Sequence, residues 1–340
     1  MAPKKVDEEN MSEEEEFEEV RDPLLKLKGM TPEFAALLKE AGYFTVESIA
    51  TEVPHFLFQR IGEKMGFNPA KAEALIRDAR SKLDIRIMSA KELYEEELKR
   101  KTVPTGSKAL DEILDGGIRT QEITEVVGSF ACGKTELVYT TAIYAPKALD
   151  GGVLILDTEA TLNVTRIRKI AEARGLDPDE TISHIHLRRV PSSADLIATL
   201  ETAHKFIKEN KTRYLTIDSF VSPFRREYPG RELLCPRQQK INYCIGLLIK
   251  YARAYDMAIL VTNQILATPV AQYTTNRPEL IRPPIGGYVM AYGANNRIYL
   301  QETNKPNVSI AILIDSSYLP RESRTIKITE KGIEDVEQKT

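Results

Sequence analysis

The sequence predicts an α/β protein with a mainly parallel sheet, preceded by a small all-α domain. From residue 105 onward, short runs of aliphatic and β-branched residues alternate with longer helical stretches. This spacing is typical of a parallel sheet that is covered by helices on both faces. An eight-residue glycine-rich motif stands between the first of these strands and the helix that follows it. Residues 23–83 instead carry apolar side chains at helical spacing, interrupted by glycine and proline.

Composition places this fold in an intracellular setting. No stretch approaches the roughly 18 apolar residues of a membrane helix, and no apolar signal segment follows the first residues. The cysteines, Cys132, Cys235 and Cys244, lack metal-like spacing, which favours reduced thiols over a disulfide. We therefore expect a soluble cytoplasmic protein with no membrane partner.

The charge distribution is uneven along the chain. The net charge is −3, yet residues 1–21 alone contain nine acidic and three basic side chains. We interpret residues 1–22 as an acidic, disordered tail, with a specific contact of these carboxylates as the alternative. The remaining chain is nearly neutral, so a site for a polyanion must be a local basic patch.

The predicted domains follow these changes of pattern. Residues 23–83 form the helical domain, 84–104 a linker, and 105–340 the α/β core. Five buried strands are predicted at residues 123–127, 153–157, 184–190, 214–218 and 258–262. Three closer runs, at 297–300, 310–314 and 325–328, are predicted to form an antiparallel extension.

Two glycine turns punctuate the helical domain, at residues 28–32 and 61–67. A glycine turn that leads into a helix offers free N–H groups to a phosphate. Turns that only connect successive helices would explain the same residues, and both interpretations stay open.

In the linker, the pattern of residues 84–90 predicts a short extended segment before a charged helix over 91–101. An isolated apolar strand has an unpaired edge, so we expect this segment to dock on its own core or on a neighbour.

The glycine-rich motif matches G-x-x-x-x-G-K-[ST] in full. Its glycines let the backbone wrap around phosphates, its lysine reaches the outer phosphates, and its threonine holds Mg²⁺. The strand before it and the helix after it supply the required context. We therefore predict a nucleotide site formed by Gly128, Ser129, Phe130, Ala131, Cys132, Gly133, Lys134 and Thr135.

Polar residues follow other predicted strands, at the edge where ligands of open α/β sheets gather. Asp218 ends an apolar strand and is the expected second Mg²⁺-associated acid, with a helix-capping carboxylate as the alternative. Glu159, just beyond the strand that ends at Asp157, is a candidate base for an attacking water or else a surface carboxylate. Gln264 and Asn263 suit sensing of a γ-phosphate, unless Asn263 caps a helix.

A basic stretch follows Asp218. Arginines and Lys240 alternate with Phe224 and Tyr228 among prolines and Gly230, and this pattern predicts a loop that fits a groove for a single nucleic-acid strand. A solvated basic loop is the alternative. Residues 266–284 contain four prolines and are predicted to form a second, mobile binding loop.

These motifs together resemble the RecA/RadA recombinases from about Leu24 to the end of the chain. The resemblance is carried by Asp-Ile-Arg at 84–86, Thr-Gly-Ser-Lys-Ala-Leu-Asp at 105–111, the motif 128–135, Asp-Thr-Glu at 157–159 and Glu-Tyr-Pro-Gly-Arg-Glu at 227–232. Thr-Asn-Gln at 262–264, Ile-Gly-Gly at 285–287 and Asp-x-x-x-Leu-Pro at 315–320 complete it.

The resemblance implies a RecA-fold ATPase core, a helix-hairpin-helix N-terminal domain and a DNA-dependent ATPase that uses ATP and Mg²⁺. It implies self-assembly into a filament or ring on single-stranded DNA, pairing with homologous duplex DNA, association with the nucleoid, and recombination mediators as further partners. Glu159 would be the catalytic glutamate, Gln264 the link to the second DNA loop, and Asp315 and Pro320 part of a cap on a neighbour's ATP. Ile87 and Ala90 would dock one subunit on the next. The implied DNA-binding residues are Arg225, Arg226, Tyr228, Arg231, Arg237, Gly286 and Gly287.

Several positions depart from the family pattern. Ile87 stands where Phe is usual, Ala160 follows the glutamate in place of Gly, and Ala131-Cys132 replace a smaller pair. Because these changes fall at functional positions, a paralogue that binds ATP and protein partners without exchanging strands is the alternative function.

Overall fold

The computed structural model describes residues 22–83, 87–265 and 287–336. The chain divides into two compact units, Met1–Ile87 and Met88–Thr340. Each unit has its own buried apolar core. In the part of the chain that is described, no helix is both long and apolar enough to cross a membrane.

The first unit is helical, as the sequence predicts. Its helices begin where capping residues and prolines favour a first turn. Thr31 and Asn68 accept hydrogen bonds from backbone N–H groups of the helices that follow them, and Pro32, Pro54 and Pro69 occupy first-turn positions. The core is formed by Leu24, Leu38, Ile49, Leu57 and Ile76, each almost fully buried. The helices are α1 (Pro32–Glu40), α2 (Val46–Ala50), α3 (Pro54–Ile61) and α4 (Pro69–Ser81), with 3₁₀ turns at Pro23–Lys26 and Lys64–Gly66.

The linker corrects one sequence-based prediction. Ala90 was expected on the extended segment, but it is the first residue of helix α5 (Ala90–Glu97). The reason is a capping box, in which Ser89 accepts from the Glu92 N–H and the Glu92 carboxylate accepts from the Ser89 N–H. Ile87 precedes this cap and is 90% exposed. Residues 84–86 lie outside the described residues.

The second unit is built on a large mixed sheet. Within the described residues, nine strands pair in the order β11-β10-β9-β8-β3-β7-β6-β4-β5. The strands are β3 (Ile123–Gly128), β4 (Gly152–Asp157), β5 (Ile185–Arg189), β6 (Thr212–Asp218), β7 (Ala258–Gln264), β8 (Asn296–Glu302), β9 (Val308–Ser316), β10 (Ser323–Thr329) and β11 (Gly332–Asp335). A separate ribbon pairs β1 (Thr102–Val103) with β2 (Ile118–Arg119).

The predicted parallel sheet is confirmed for its five strands, β3 to β7. The predicted antiparallel extension holds for β9 and β10, whereas β8 is parallel to β3 and antiparallel only to β9. The ribbon and β11 were not foreseen, because two to four residues carry too little periodicity.

Helices cover both faces of this sheet and bury two apolar layers. One layer packs the helices at residues 108–113, 134–149 and 164–173 against β3, β4 and β6. The other packs the helices at residues 193–209 and 234–254 on the opposite face. The helices of the unit after α5 are α6 (Lys108–Ile113), α7 (Lys134–Leu149), α8 (Val164–Ala173), α9 (Pro178–Ser183), α10 (Ser193–Glu209), α11 (Ser222–Glu227), α12 (Leu234–Ala254) and α13 (Gly287–Gly293).

The predicted basic loop after Asp218 is wrong in part. Most of it is helical, in α11 and in the first turns of α12, while residues 219–221 before α11 and 228–233 between the two helices lie outside a helix. Pro223 and Pro236 suggested a loop, but both lie in the first turn of a helix, where the missing N–H is not required for intrahelical bonding.

Candidate nucleotide site and basic segment

The carboxyl ends of four neighbouring parallel strands converge at one edge of the sheet. Gly128 at the end of β3 is in register with Gln264 at the end of β7, and Asp157 of β4 is in register with Asp218 of β6. Each of these strands is a short, buried run that ends in a residue the chemistry requires. The sheet therefore brings together the residues that the sequence analysis selected from four separate segments.

The loop between β3 and α7 is shaped by its glycines. A Cβ added at Gly128 would lie 2.4 Å from Cys132 Sγ and 2.6 Å from the Leu300 carbonyl oxygen. Gly133 has φ +104° and is the N-cap of α7, without a side-chain cap on the helix. The first N–H groups of α7 are thus left for a ligand, and the helix dipole favours an anion there.

Side chains around this loop match a triphosphate better than an apolar ligand. Lys134 Nζ lies over the loop and donates to the carbonyl oxygens of Gly128 (3.1 Å) and Ser129 (2.5 Å). Cys132 is buried and its carbonyl oxygen accepts from Ser309 Oγ at 3.0 Å, which anchors the loop to β9. Phe130 points outward and is 92% exposed.

A hydroxyl and a carboxylate face each other beside the loop. Thr135 Oγ1 donates to Asp218 Oδ2 at 2.7 Å, and the Thr262 hydroxyl donates to the other oxygen of Asp218. Asp218 is buried, and this burial raises its pKa, although the two hydroxyl donors and Lys134 act in the opposite direction. Hard oxygen donors of this kind suit Mg²⁺, and a divalent cation would offset the desolvation of the carboxylate.

The turn after β4 holds Glu159 toward the same edge. Asp157 accepts hydrogen bonds from the N–H groups of Glu159 (3.2 Å) and Leu162 (3.2 Å), so the turn is fixed from its own first residue. Gln264 Nε2 donates to Glu159 Oε1 at 2.9 Å. The two polar residues that the sequence placed at separate strand ends are therefore in direct contact.

The basic segment follows the same edge, because β6 leads into it directly after Asp218. Arg225 and Arg231 are exposed, and neither side chain makes a hydrogen bond or ion pair with the residues that the structure describes. Lys240 Nζ lies 5.7 Å from the centre of the Tyr228 ring, and Arg237 donates to the Tyr228 carbonyl oxygen at 3.2 Å. The guanidinium groups of Arg225 and Arg231 thus remain available to a polyanion. Lys240 and Arg237 hold Tyr228, which belongs to the same segment, in place.

Comparison with known proteins now decides the family. The model of the family described as Rad51 matches residues 98–336 of this chain. A protein from Ignicoccus hospitalis, "DNA repair and recombination protein RadA", is 35% identical over 322 residues, which cover 92% of this chain and 95% of the relative. The chain belongs to the Rad51 family. The resemblance to RecA/RadA recombinases and the predicted RecA-type core are confirmed by these matches and by the sheet.

Two side chains of the basic segment make contacts in this Rad51-family chain that the sequence did not predict. Phe224 is fully buried and packs against Phe220 with ring centres 6.1 Å apart, so it belongs to the core and offers no surface to a base. Arg226 donates to the carbonyl oxygens of Thr158 and Pro191, each at 3.1 Å. Arg226 therefore ties α11 to the turn that carries Glu159, a contact that its charge alone did not indicate.

The remaining predicted residues lie elsewhere. Asp315 on β9 is in register with Arg297 near the start of β8, and Pro320 follows β9; both are exposed and lie toward the sheet edge opposite Gly128. Ala90 is exposed on α5, and Gly287 opens α13 with φ +57°. Gly286 and the predicted second loop, residues 266–284, lie outside the described residues.

Sequence reasoning gave no role to Glu125, although it interrupts an apolar strand. Glu125 is fully buried and accepts from Arg297 Nε (2.6 Å) and from Asn263 Nδ2 (2.7 Å). Asn263 in turn accepts from the Gln264 N–H at 2.8 Å. A charged residue inside a buried strand was the available signal, since such a residue is almost always paired.

Proposed function

We propose that this chain is a DNA repair and recombination protein that hydrolyses ATP in a DNA-dependent manner, assembles on single-stranded DNA and pairs it with homologous duplex DNA. The observation that carries the proposal is the edge at which Lys134, Thr135, Asp218, Glu159 and Gln264 meet. The curated relative, named a DNA repair and recombination protein, supports the same function.

The residues at this edge would have separate roles in ATP hydrolysis. The loop Gly128–Gly133 and the first turn of α7 would hold the phosphates through backbone N–H groups, and Lys134 would exchange its loop carbonyls for the β- and γ-phosphates. Thr135 and Asp218 would hold Mg²⁺, which supplies charge neutralisation when bound. Glu159 would orient and deprotonate the attacking water, and Gln264 fixes its carboxylate.

The placement of the other predicted residues supports assembly. Asp315 and Pro320 lie toward the sheet edge away from their own phosphate loop, which suits a cap on the ATP of a neighbouring subunit. Ile87 and Ala90 are exposed, as residues that dock on a neighbour must be before assembly. Arg225, Arg231 and Tyr228 would follow the DNA backbone from the strand end that carries Asp218. We propose residues 23–83 as a further, helix-hairpin-helix DNA contact and 105–340 as the ATPase core.

A direct experiment compares wild-type protein with Lys134→Ala. We expect single-stranded DNA to stimulate ATP turnover and strand exchange by the wild type, and both activities to be absent in the variant, because no other described cation is placed over the phosphate loop. Lys147→Ala, at the exposed far end of the same helix, is the matched control and keeps both activities. Wild-type protein that binds ATP but neither responds to DNA nor exchanges strands would instead support the alternative function, a paralogue that binds ATP and protein partners without exchanging strands.

A further inference from the structure

A cluster of polar side chains connects the linker, at Arg100, to the segment that follows β9. Its centre is Glu122, at the start of β3, which is only 4% exposed. Tyr318 Oη (3.1 Å) and Asn296 Nδ2 (2.9 Å) both donate to Glu122 Oε2, while Arg100 Nη1 lies 3.2 Å from Oε1. Side chains from three other segments of the chain thus meet on one carboxylate.

The cluster also reaches helix α5. Arg119 Nη2 donates to the carbonyl oxygen of Glu97, the last residue of the helix, at 2.9 Å. The guanidinium group of the same arginine lies 5.3 Å from the centre of the Tyr318 ring, within cation–π range. Arg100, three residues after Glu97, contacts both the Glu97 and the Glu122 carboxylates. Tyr318 is therefore connected to the end of the linker helix by two arginines.

On its other side, the cluster shapes the turn beyond Asp315. Ser316 Oγ donates to Asn296 Oδ1 at 2.7 Å and accepts from the N–H groups of Tyr318 (3.3 Å) and Leu319 (3.1 Å). The conformation of residues 316–319 is thus set by contacts with Asn296 and Glu122. Asp315 immediately precedes this turn and Pro320 immediately follows it.

Because Glu122 is buried, the loss of one of its hydrogen bonds is energetically costly. Desolvation raises the pKa of Glu122, and Tyr318, Arg119, Arg100 and Asn296 counteract it. A buried carboxylate that loses a donor keeps its desolvation penalty, so the loss costs more than the hydrogen bond itself. Movement of Tyr318 is therefore coupled to movement of the arginines that hold α5.

We propose that Tyr318, acting through Glu122, is a positioning residue that ties the turn 315–320 to the linker helix, so that subunit docking and contact with a neighbour's ATP are set together. The claim that the turn 315–320 contacts a neighbour's ATP rests on the proposed function. The tie itself rests on the contacts around Glu122.

Hydrogen–deuterium exchange of the Tyr318→Phe variant tests the connection between the turn 315–320 and helix α5 without an activity measurement. The variant keeps the ring beside Arg119 but loses the donor to Glu122. We expect faster exchange in a peptide covering residues 315–321 and also in one covering 90–100, each by roughly threefold to tenfold for the loss of one hydrogen bond. Tyr243→Phe, which loses a 2.5 Å hydrogen bond to Glu201 between α10 and α12, is the control and leaves both peptides unchanged. Faster exchange in residues 315–321 alone would overturn the tie.

The ATP dependence of DNA-stimulated turnover tests the coupling. In Tyr318→Phe we expect the ATP concentration at half-maximal turnover to rise by about threefold to tenfold. Turnover at saturating ATP should fall by less than about twofold, a split that general destabilisation would not produce. In an Ala90→Glu background, where docking is weakened, the ATP dependence of the DNA-independent turnover that remains should be the same with and without Tyr318→Phe. A shift of equal size in that background, or none in the wild-type background, would overturn the coupling. Wild-type protein without ATP turnover would overturn the proposed function and leave the exchange result to decide the tie.

Discussion

Gln264 Nε2 donates a 2.9 Å hydrogen bond to Glu159 Oε1, which joins the end of β7 to the turn after β4 across the intervening strand β6. The bond fixes one carboxylate oxygen and leaves the other for a water molecule. Because Gln264 also precedes the segment that leads to the predicted second DNA loop, a change in that segment would reach the carboxylate through one side chain. Under the proposed function, this contact would be a route by which DNA binding alters ATP hydrolysis.

Glu159→Gln should separate ATP binding from turnover. The amide keeps the acceptor for Gln264 but removes the negative charge and the base, so ATP affinity should stay within about threefold. Turnover should fall by about 10²-fold or more, the usual contribution of a general base. Nucleotide binding and phosphate release measure the two effects. Glu172→Gln, an exposed change on α8, is the control; lost affinity with unaltered turnover would show that Glu159 has another role.

Asp111 should make stability depend on pH. It accepts from the N–H (2.8 Å) and hydroxyl (2.7 Å) of Thr105, and burial raises its pKa to about 6, with Asp335 adding to the shift. The folded state then binds more protons than the unfolded state between about pH 4 and pH 6, so the free energy of unfolding falls as pH rises through this window.

Asp111→Asn, which keeps an acceptor for Thr105, should remove this dependence. A shift of about two pKa units corresponds to roughly 3 kcal/mol as an upper value. Urea unfolding of both proteins at pH 4.5 and pH 7 measures the difference, with the wild type losing more stability than the variant. Parallel pH profiles would contradict the assignment of the dependence to Asp111.

The sequence was sufficient for the sheet and the phosphate loop because both depend on local patterns. Buried parallel strands are short aliphatic runs, and the loop needs glycine at fixed positions. Pro223 and Pro236 misled the prediction, since proline at a first helical turn and proline in a loop look alike in sequence. The burial of Phe224 could not be inferred either, because an aromatic residue between arginines suits a core and a nucleic-acid surface equally well.

Contacts between distant segments were beyond sequence reasoning. Tyr318 and Glu122 are separated by 196 residues, and neither belongs to a recognisable motif. Arg226 was selected for its charge, yet its position is set by carbonyl groups of two other loops. Such contacts depend on the register of the sheet, which brings strand ends together regardless of their order along the chain.

Ala90→Glu should reduce assembly without unfolding the chain. Ala90 is exposed in the first turn of α5, where a carboxylate interacts favourably with the helix dipole, so the isolated subunit is not destabilised. At an interface the same charge would be desolvated, at a cost of several kcal/mol. Light scattering should show smaller species, with thermal unfolding unchanged. Ala70→Glu, the same change in the first turn of α4, is the control, and an unaltered particle size for Ala90→Glu would contradict the docking role.

Arg231→Ala tests whether the basic segment binds the phosphate backbone of DNA. Arg231 is exposed between α11 and α12, and its side chain makes no hydrogen bond or ion pair among the described residues, so its charge is available for a phosphate. Each phosphate contact with a single strand contributes about 0.7 to the slope of log affinity against log salt concentration. We expect the slope to fall by about that amount and strand exchange to be lost, because pairing requires the strand to be held along the filament.

Fluorescence anisotropy with a labelled oligonucleotide at several salt concentrations measures the slope. Arg253→Ala, an exposed arginine at the other end of α12, is the matched control and should keep the wild-type slope. Arg226→Ala should behave differently from both, because Arg226 is bonded to the turn that carries Glu159. Its loss should lower ATP turnover even without DNA. If Arg231→Ala keeps the full slope while strand exchange is lost, the residue acts on a protein surface, and the basic segment is an interface with a partner rather than a DNA groove.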